Sequence, residues 1–241
     1  MSTRSKAKSN STQSQDCSGP LPKGGNGIAG ASPLGIPAFI LGNGPSLPAD
    51  LSPLRRLFTV GVNRIVRTFN PTVVLWVDST VYESDSQAIE ASGALLVCDR
   101  SVAGAGHHGL PLRAGEDARR AIPSVQTLCC SGNTGVCAAR WALALGCQPV
   151  YLLGMGAEYD GELTDFWGVN ERHTPQTISI MQAELEHLLA SYPGRVFQLD
   201  ADSMAAATPF RAIDAEAVRR RIETMLCGRD VSYARPHEGL P

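Results

Sequence analysis

The sequence predicts an α/β domain: a doubly wound, mostly parallel sheet with helices on both faces. Three observations predict it. Short runs dense in Val, Ile, Leu and Phe recur without strict polar alternation, as strands buried on both faces require. Stretches with helical apolar spacing lie between some of them. Several runs end abruptly in Gly, Asn, Ser or Asp, the residues found where such a sheet binds ligands.

The elements follow in chain order. Residues 1–35 are rich in Ser, Gly, Lys, Asn and Gln and nearly devoid of large apolar residues, so they read as a disordered tail. The strand candidates are 37–41, 57–62, 72–77, 94–98, 125–130, 149–154 and 195–199. The segment 99–122 is poor in apolar residues, carries Gly104, Gly106, Gly109 and Pro111, and reads as one long loop suited to a lid. Gly135 to Leu145 reads as a buried helix stopped by Gly146. Residues 175–191 place Ile178, Met181, Leu185, Leu188 and Leu189 on one helical face. Residues 213–226 do the same with Ile213, Ala217, Ile222 and Met225. Residues 36–228 are thus expected to form one domain, followed by a flexible tail over 229–241.

Composition narrows the function. The chain has 241 residues, 43% apolar and 18% charged, with a formal net charge of −2. No global basic field draws it to nucleic acid or anionic membrane. The run Arg219-Arg220-Arg221 reads as a solvated helix face, with a local basic patch as the alternative. No apolar run approaches the roughly 20 residues of a membrane helix, and no secretory signal opens the chain. The seven cysteines (17, 98, 129, 130, 137, 147, 227) form no CxxC pair and no zinc-spaced cluster. An odd number without a secretion signal suits a reducing cytoplasm.

Four strand ends carry candidate chemistry. Gly42-Asn43-Gly44-Pro45-Ser46 breaks an apolar run with a glycine turn, which is expected to leave free N–H groups for a phosphate and to allow positive φ. It is neither a Walker loop nor a GxGxxG fingerprint. Asn63 ends the next strand and suits a base or ribose; Arg64 suits a phosphate, or is merely solvated. Asp78 follows the third strand and reads equally as a metal ligand, a base or a helix cap. Ser131-Gly132-Asn133-Thr134 enters the Ala-rich helix with more small polar residues than capping needs. The loop after 149–154 carries Tyr159, Asp160, Asp165, Trp167, Arg172 and His173, which suit an acceptor site or lid. His173 is the best general-base candidate there.

The order Phe-Ile-Leu-Gly-Asn-Gly-Pro-Ser-Leu, Val-Gly-Val-Asn-Arg and Ser-Gly-Asn-Thr-Gly…Leu-Ala-Leu-Gly-Cys-Gln-Pro-Val-Tyr-Leu-Leu-Gly-Met resembles a Rossmann-like superfamily over residues 36–200. That superfamily includes bacterial sialyltransferases of the Campylobacter type, archaeal 6-hydroxymethylpterin diphosphokinase-like proteins, and phage and bacterial relatives. The resemblance implies a nucleotide-sugar donor held by Asn43, Gly44, Ser46 and Asn63, with Ser131, Gly132 and Thr134 at the ribose and base. It implies His173 as base. The tyrosine pair of the sialyltransferases is not matched, Tyr159 being the nearest tyrosine. The acceptor is a hydroxyl on a small molecule, a glycan or a modified DNA base. In the diphosphokinase branch the same loops imply ATP with Mg²⁺ held by Asp78 or Asp160. A non-catalytic nucleotide-binding module is the third reading.

Overall fold

The computed structural model describes residues 33–156, 174–199 and 210–227. Seven parallel strands form the main sheet: β1 (Ala38–Leu41), β2 (Thr59–Val62), β3 (Val73–Trp76), β4 (Leu95–Asp99), β5 (His108–Leu110), β8 (Val150–Leu153) and β9 (Val196–Gln198). Their order is β5-β4-β3-β2-β1-β8-β9. Two further strands, β6 (Leu112–Ala114) and β7 (Leu128–Cys130), pair in parallel beside it. The helices are α1 (Ser79–Ala91), α2 (Gly115–Arg120), α3 (Thr134–Ala144), α4 (Pro175–Ser191) and α5 (Ala215–Leu226).

The period of two sorts each strand's side chains between two cores. Ala38, Ile40, Val60, Val62, Val73, Leu75, Leu95 and Val97 face a core shared with α3, α4 and α5. Phe39, Leu41, Val74, Trp76, Leu96 and Cys98 face the other, with α1 and the short 3-10 turns at Ser52–Arg56 and Asn63–Arg67. Both faces are apolar because both are covered, so polar alternation is absent. Helix α3 is buried on nearly every side, and its Trp141 indole donates to the Val125 carbonyl at 3.0 Å. The buried Arg140 on this helix donates to the carbonyls of Ala118 and Arg119, placing a cation at the C-terminus of α2.

All seven predicted runs are strands, and the predicted helices α3, α4 and α5 lie where the periodicity put them. The segment 99–122 is not one long loop. It forms a 3-10 turn, β5, β6 and α2. Edge strands of three residues supply too little apolar pattern to read, but pairing with β4 and β7 satisfies their backbone. Helix α1 also escaped the sequence reading because it buries only Val81, Asp85 and Ile89, and its exposed face is Ser-, Gln- and Glu-rich. Leu34, assigned to the terminal tail, is buried; its N–H and that of Gly35 donate to the Leu145 and Gly146 carbonyls at 2.9 and 3.1 Å. Residues 1–32 and 228–241 lie outside the described residues.

Candidate functional site

From β1 the chain winds through β2, β3, β4 and β5 to one side, while β8 and β9 lie on the other. The direction of winding therefore changes at β1. In doubly wound sheets the crevice above such a switch is where ligands bind. Here the crevice is walled by the loops after β1, β2 and β8 and by the start of α3.

The glycines of the first loop are needed, but not for the expected reason. Neither Gly42 nor Gly44 takes a positive φ. A Cβ on Gly42 would lie 2.3 Å from the Gly154 carbonyl oxygen, and one on Gly44 would lie 2.5 Å from that of Gly156. The two loops are laced backbone to backbone: the Gly42 N–H donates to Leu153 O at 2.8 Å and the Gly44 N–H to Gly154 O at 2.7 Å. These two donors are committed to the fold and are not free for a phosphate. No α-helix follows the turn either; a 3-10 turn starts only at Ser52. Met155 then fills the gap to α3, where a Cβ on Gly135 would lie 2.2 Å from its methyl. So the loop after β1, the loop after β8 and the α3 N-terminus meet, as the sequence suggested for the first and last.

Asn43 and Asn63 stand apart from this lacing. Leu41 pairs with Gly61, so the same offset carries Asn43 to the level of Asn63 on the neighbouring strand end. The side-chain carbonyl oxygen of each is buried and has no hydrogen-bond partner. Asn63 also holds φ at 52°, where L residues are rare and asparagine is the least strained non-glycine choice. A buried acceptor without a donor costs about 1–3 kcal/mol. Two such acceptors at one level of one crevice are what a ligand with O–H or N–H groups would satisfy.

The 131–135 loop is built differently. Asn133 caps α3: its side-chain oxygen accepts from the N–H groups of Gly135 at 2.9 Å and Val136 at 3.2 Å. Thr134 is the first helical residue, and Gly132 is exposed with φ at 118°. The Ser131 hydroxyl donates to Glu184 of α4, and Arg119 of α2 pairs with the same carboxylate, which is fully buried. Glu184 was not singled out from the sequence. Its signal is an acidic residue at helical spacing within the buried stripe Ile178, Leu185, Leu188.

Two other candidates are engaged elsewhere. Asp78 caps α1, accepting from the Thr80 N–H at 2.9 Å and the Thr80 hydroxyl at 2.8 Å, so the capping alternative holds in the structure. Arg64 lies 3.3 Å from Asp85 of α1, which Arg67 also pairs at 2.5 Å. Burial alone would raise the Asp85 pKa. Hydrogen bonds from Arg67 and Ser84 and the charges of both arginines outweigh it and hold the carboxyl below its ordinary value. Tyr159, Asp160, Asp165, Trp167, Arg172 and His173 lie outside the described residues.

A polar cavity of about 540 Å³ opens along β5, lined by Arg100, His107, His108, Ser124, Gln126 and Thr127 among others. Inside the described part of the 99–122 segment, His107 is fully occupied: Nδ1 accepts from the Gly104 N–H at 2.7 Å, and Nε2 meets Glu90 at 2.7 Å. Its ring packs edge-on against Trp76 and Tyr82. Among the described residues no group of His, Cys, Asp and Glu is arranged to hold a metal ion, and no helix is long and apolar enough to cross a membrane.

No family model matches the chain, and no curated protein matches it. Among solved structures it is similar to the sialyltransferase CstII from Campylobacter jejuni in complex with CMP-3FNeuAc. The identity is 14%, the TM-score 0.38, and the match covers 75% of this chain and 87% of that one. A CstII complex with a trisaccharide acceptor and CMP gives 15%, 0.38, 74% and 87%. The monofunctional α-2,3-sialyltransferase Cst-I from the same organism gives 16%, 0.38, 77% and 83%.

Proposed function

We propose that the chain is a transferase that takes a nucleotide-activated donor and moves a sugar to a hydroxyl acceptor. The observation that carries this reading is the pair of buried, unpartnered amide oxygens of Asn43 and Asn63 above the switch point. Amide oxygens accept; they suit the hydroxyls of a ribose or the exocyclic amine of a base, not a bare phosphate. With the Gly42 and Gly44 N–H groups committed, the donor's phosphates fall to the exposed Ser46 hydroxyl and the carboxamide N–H groups. The acceptor enters over the 99–122 side, where the polar cavity along β5 offers hydrogen bonds.

In transfer, the acceptor oxygen bonds to the anomeric carbon as the bond to the donor phosphate breaks. The electron pair leaves with the phosphate, and the acceptor proton passes to the His173 imidazole. The experiment is a melting-temperature panel of CMP, UDP and ATP with and without EDTA, followed by turnover of the matching sugar donors. A CMP or UDP shift that survives EDTA, with turnover lost in His173→Ala, is the expected result. A shift by ATP that needs Mg²⁺ replaces the reading with pyrophosphoryl transfer to a hydroxymethyl compound. Nucleotide binding with no turnover of any donor replaces it with a non-catalytic module.

A further inference from the structure

Three segments build the polar cavity along β5. Arg100 leaves the end of β4; Asp99 pairs with Leu110, so the same offset sets Arg100 level with Pro111. Gly109 lets these two segments close up, since a Cβ there would lie 3.2 Å from the Arg100 Cα. β5 itself brings His108. The turn closed by the Ser124–Thr127 bridge brings Ser124, Gln126 and Thr127. The Leu128 N–H holds that turn beside the end of β5, donating to the Pro111 carbonyl at 2.9 Å. At about 540 Å³ the cavity has the size of a small-molecule pocket, more than one ion needs.

The lining is one-sided in charge. No Asp or Glu is among its residues. Asp99, next to Arg100, is engaged by the Ser101 N–H at 3.2 Å and the Ser101 hydroxyl at 2.8 Å. Glu90 is engaged by the Tyr82 hydroxyl at 2.8 Å and by His107, whose two ring nitrogens are both in use. The Arg100 guanidinium, the His108 imidazole and the Thr127 hydroxyl have no hydrogen bond or ion pair among the described residues. The Ser124 hydroxyl accepts from the Gln126 N–H at 3.2 Å and keeps its own proton to donate. Donors therefore come from all three segments, one of them a guanidinium, and no carboxylate of the lining opposes them.

Such a lining selects an anion. Donors from three segments suit a tetrahedral group, whose oxygens point apart; a planar carboxylate offers its two oxygens on one side. The guanidinium fork matches phosphate in particular. Leu110, Pro111 and Leu226 line the rest and suit the carbon body that carries the group. We propose that the cavity anchors a phosphate group carried by the acceptor, on Arg100, His108, Ser124 and Thr127. β5 lies three strands from β2, about 14 Å at the usual strand spacing. The phosphate thus marks the end of the acceptor remote from the hydroxyl that reacts in the crevice near Asn63. The acceptor role rests on the transferase reading; the phosphate site is read from the lining alone.

The test titrates glucose 6-phosphate, inorganic phosphate, acetate and glucose into the full chain at constant pH and ionic strength. Binding is followed on the imidazole C–H signals of the five histidines by NMR, and His108→Gln assigns the His108 signal. A saturable shift of that signal with glucose 6-phosphate is expected, and none with glucose. Arg100→Gln is expected to weaken the binding at least about tenfold, through loss of the charge-assisted contact. Thr127→Ala is expected to weaken it about threefold. Arg100 is exposed, so its substitution leaves the core untouched. Equal affinity in Arg100→Gln overturns the proposal. So does acetate bound as tightly as glucose 6-phosphate, or a His108 signal that stays fixed up to about 10 mM ligand. Inorganic phosphate bound more tightly than the ester overturns the carried group in favour of the free ion. The melting shift with CMP or UDP is a separate measurement. If it fails while glucose 6-phosphate binds, the transferase reading falls and the phosphate site stands; the reverse removes the phosphate site alone.

Discussion

Two loops in this protein look alike in sequence and are spent differently. Gly42-Asn43-Gly44-Pro45-Ser46 and Ser131-Gly132-Asn133-Thr134 are both small, polar and placed at strand ends. In the second, the side-chain groups of Asn133 and Ser131 are used by the fold: Asn133 caps α3 and Ser131 joins the Glu184–Arg119 pair. In the first, the backbone is committed to β8, yet the Asn43 amide oxygen is buried without a donor, as is that of Asn63 beside it. Composition cannot separate a cap from a binding group. Hydrogen-bond accounting can, because a buried acceptor left unpaired in the free protein is either a loss or a place for a ligand.

The comparison is most sharply broken at the lacing itself. Gly42→Ala pushes a Cβ to 2.3 Å from the Gly154 carbonyl oxygen, backbone against backbone. It should cost about 3 kcal/mol or more in urea unfolding; a cost under about 1 would mean the two loops are free to part. Next comes Glu184→Ala, which strands the Ser131 hydroxyl and the half-exposed Arg119. Its cost should be about 1–3 kcal/mol, less than for a fully buried pair because water reaches Arg119. An unchanged unfolding midpoint would show the carboxylate to be dispensable to the fold.

Asp85 tests the ion pairs that draw Arg64 away from the crevice. Its folded pKa is depressed, so its contribution is present above the ordinary carboxylate value of 3.8 and is lost as pH falls below it. Asp85→Asn should lower stability by about 1–2 kcal/mol at pH 7. It should also flatten the acid limb below pH 4 in a melting-temperature profile. A variant that keeps the full acid limb would locate that limb elsewhere. The smallest effect separates the two loops by sign. Asn133→Ala should cost about 1 kcal/mol of stability through the lost cap. Asn43→Ala should cost nothing or stabilise slightly, while weakening the bound nucleotide about tenfold. Equal losses of stability in both would erase the distinction.

Seven of the nine described strands and three of the helices were legible because each had to bury an apolar face, and the required spacing is written locally. The alternation-free runs announced a sheet covered on both sides. β5, β6 and α1 were not legible. The first two are three-residue strands held by backbone pairing, which leaves little trace in side chains, and α1 buries only Val81, Asp85 and Ile89. Of the candidate residues, Asn43 and Asn63 keep buried, unpartnered amide oxygens at neighbouring strand ends, while Asp78, Arg64 and Asn133 turn to the fold.

The sequence by itself determined the class of fold and which strand ends carry small polar residues, since both follow from residue type and period. Tertiary structure alone decided what each polar group is for. It set Gly42 and Gly44 against the backbone after β8, gave Arg64 to Asp85 and Ser131 to Glu184, and left the amide oxygens of Asn43 and Asn63 unpaired. The physical reason is that a donor or acceptor is satisfied by whatever lies within about 3 Å. At Ser131 and Glu184 that neighbour is 53 residues away in the chain.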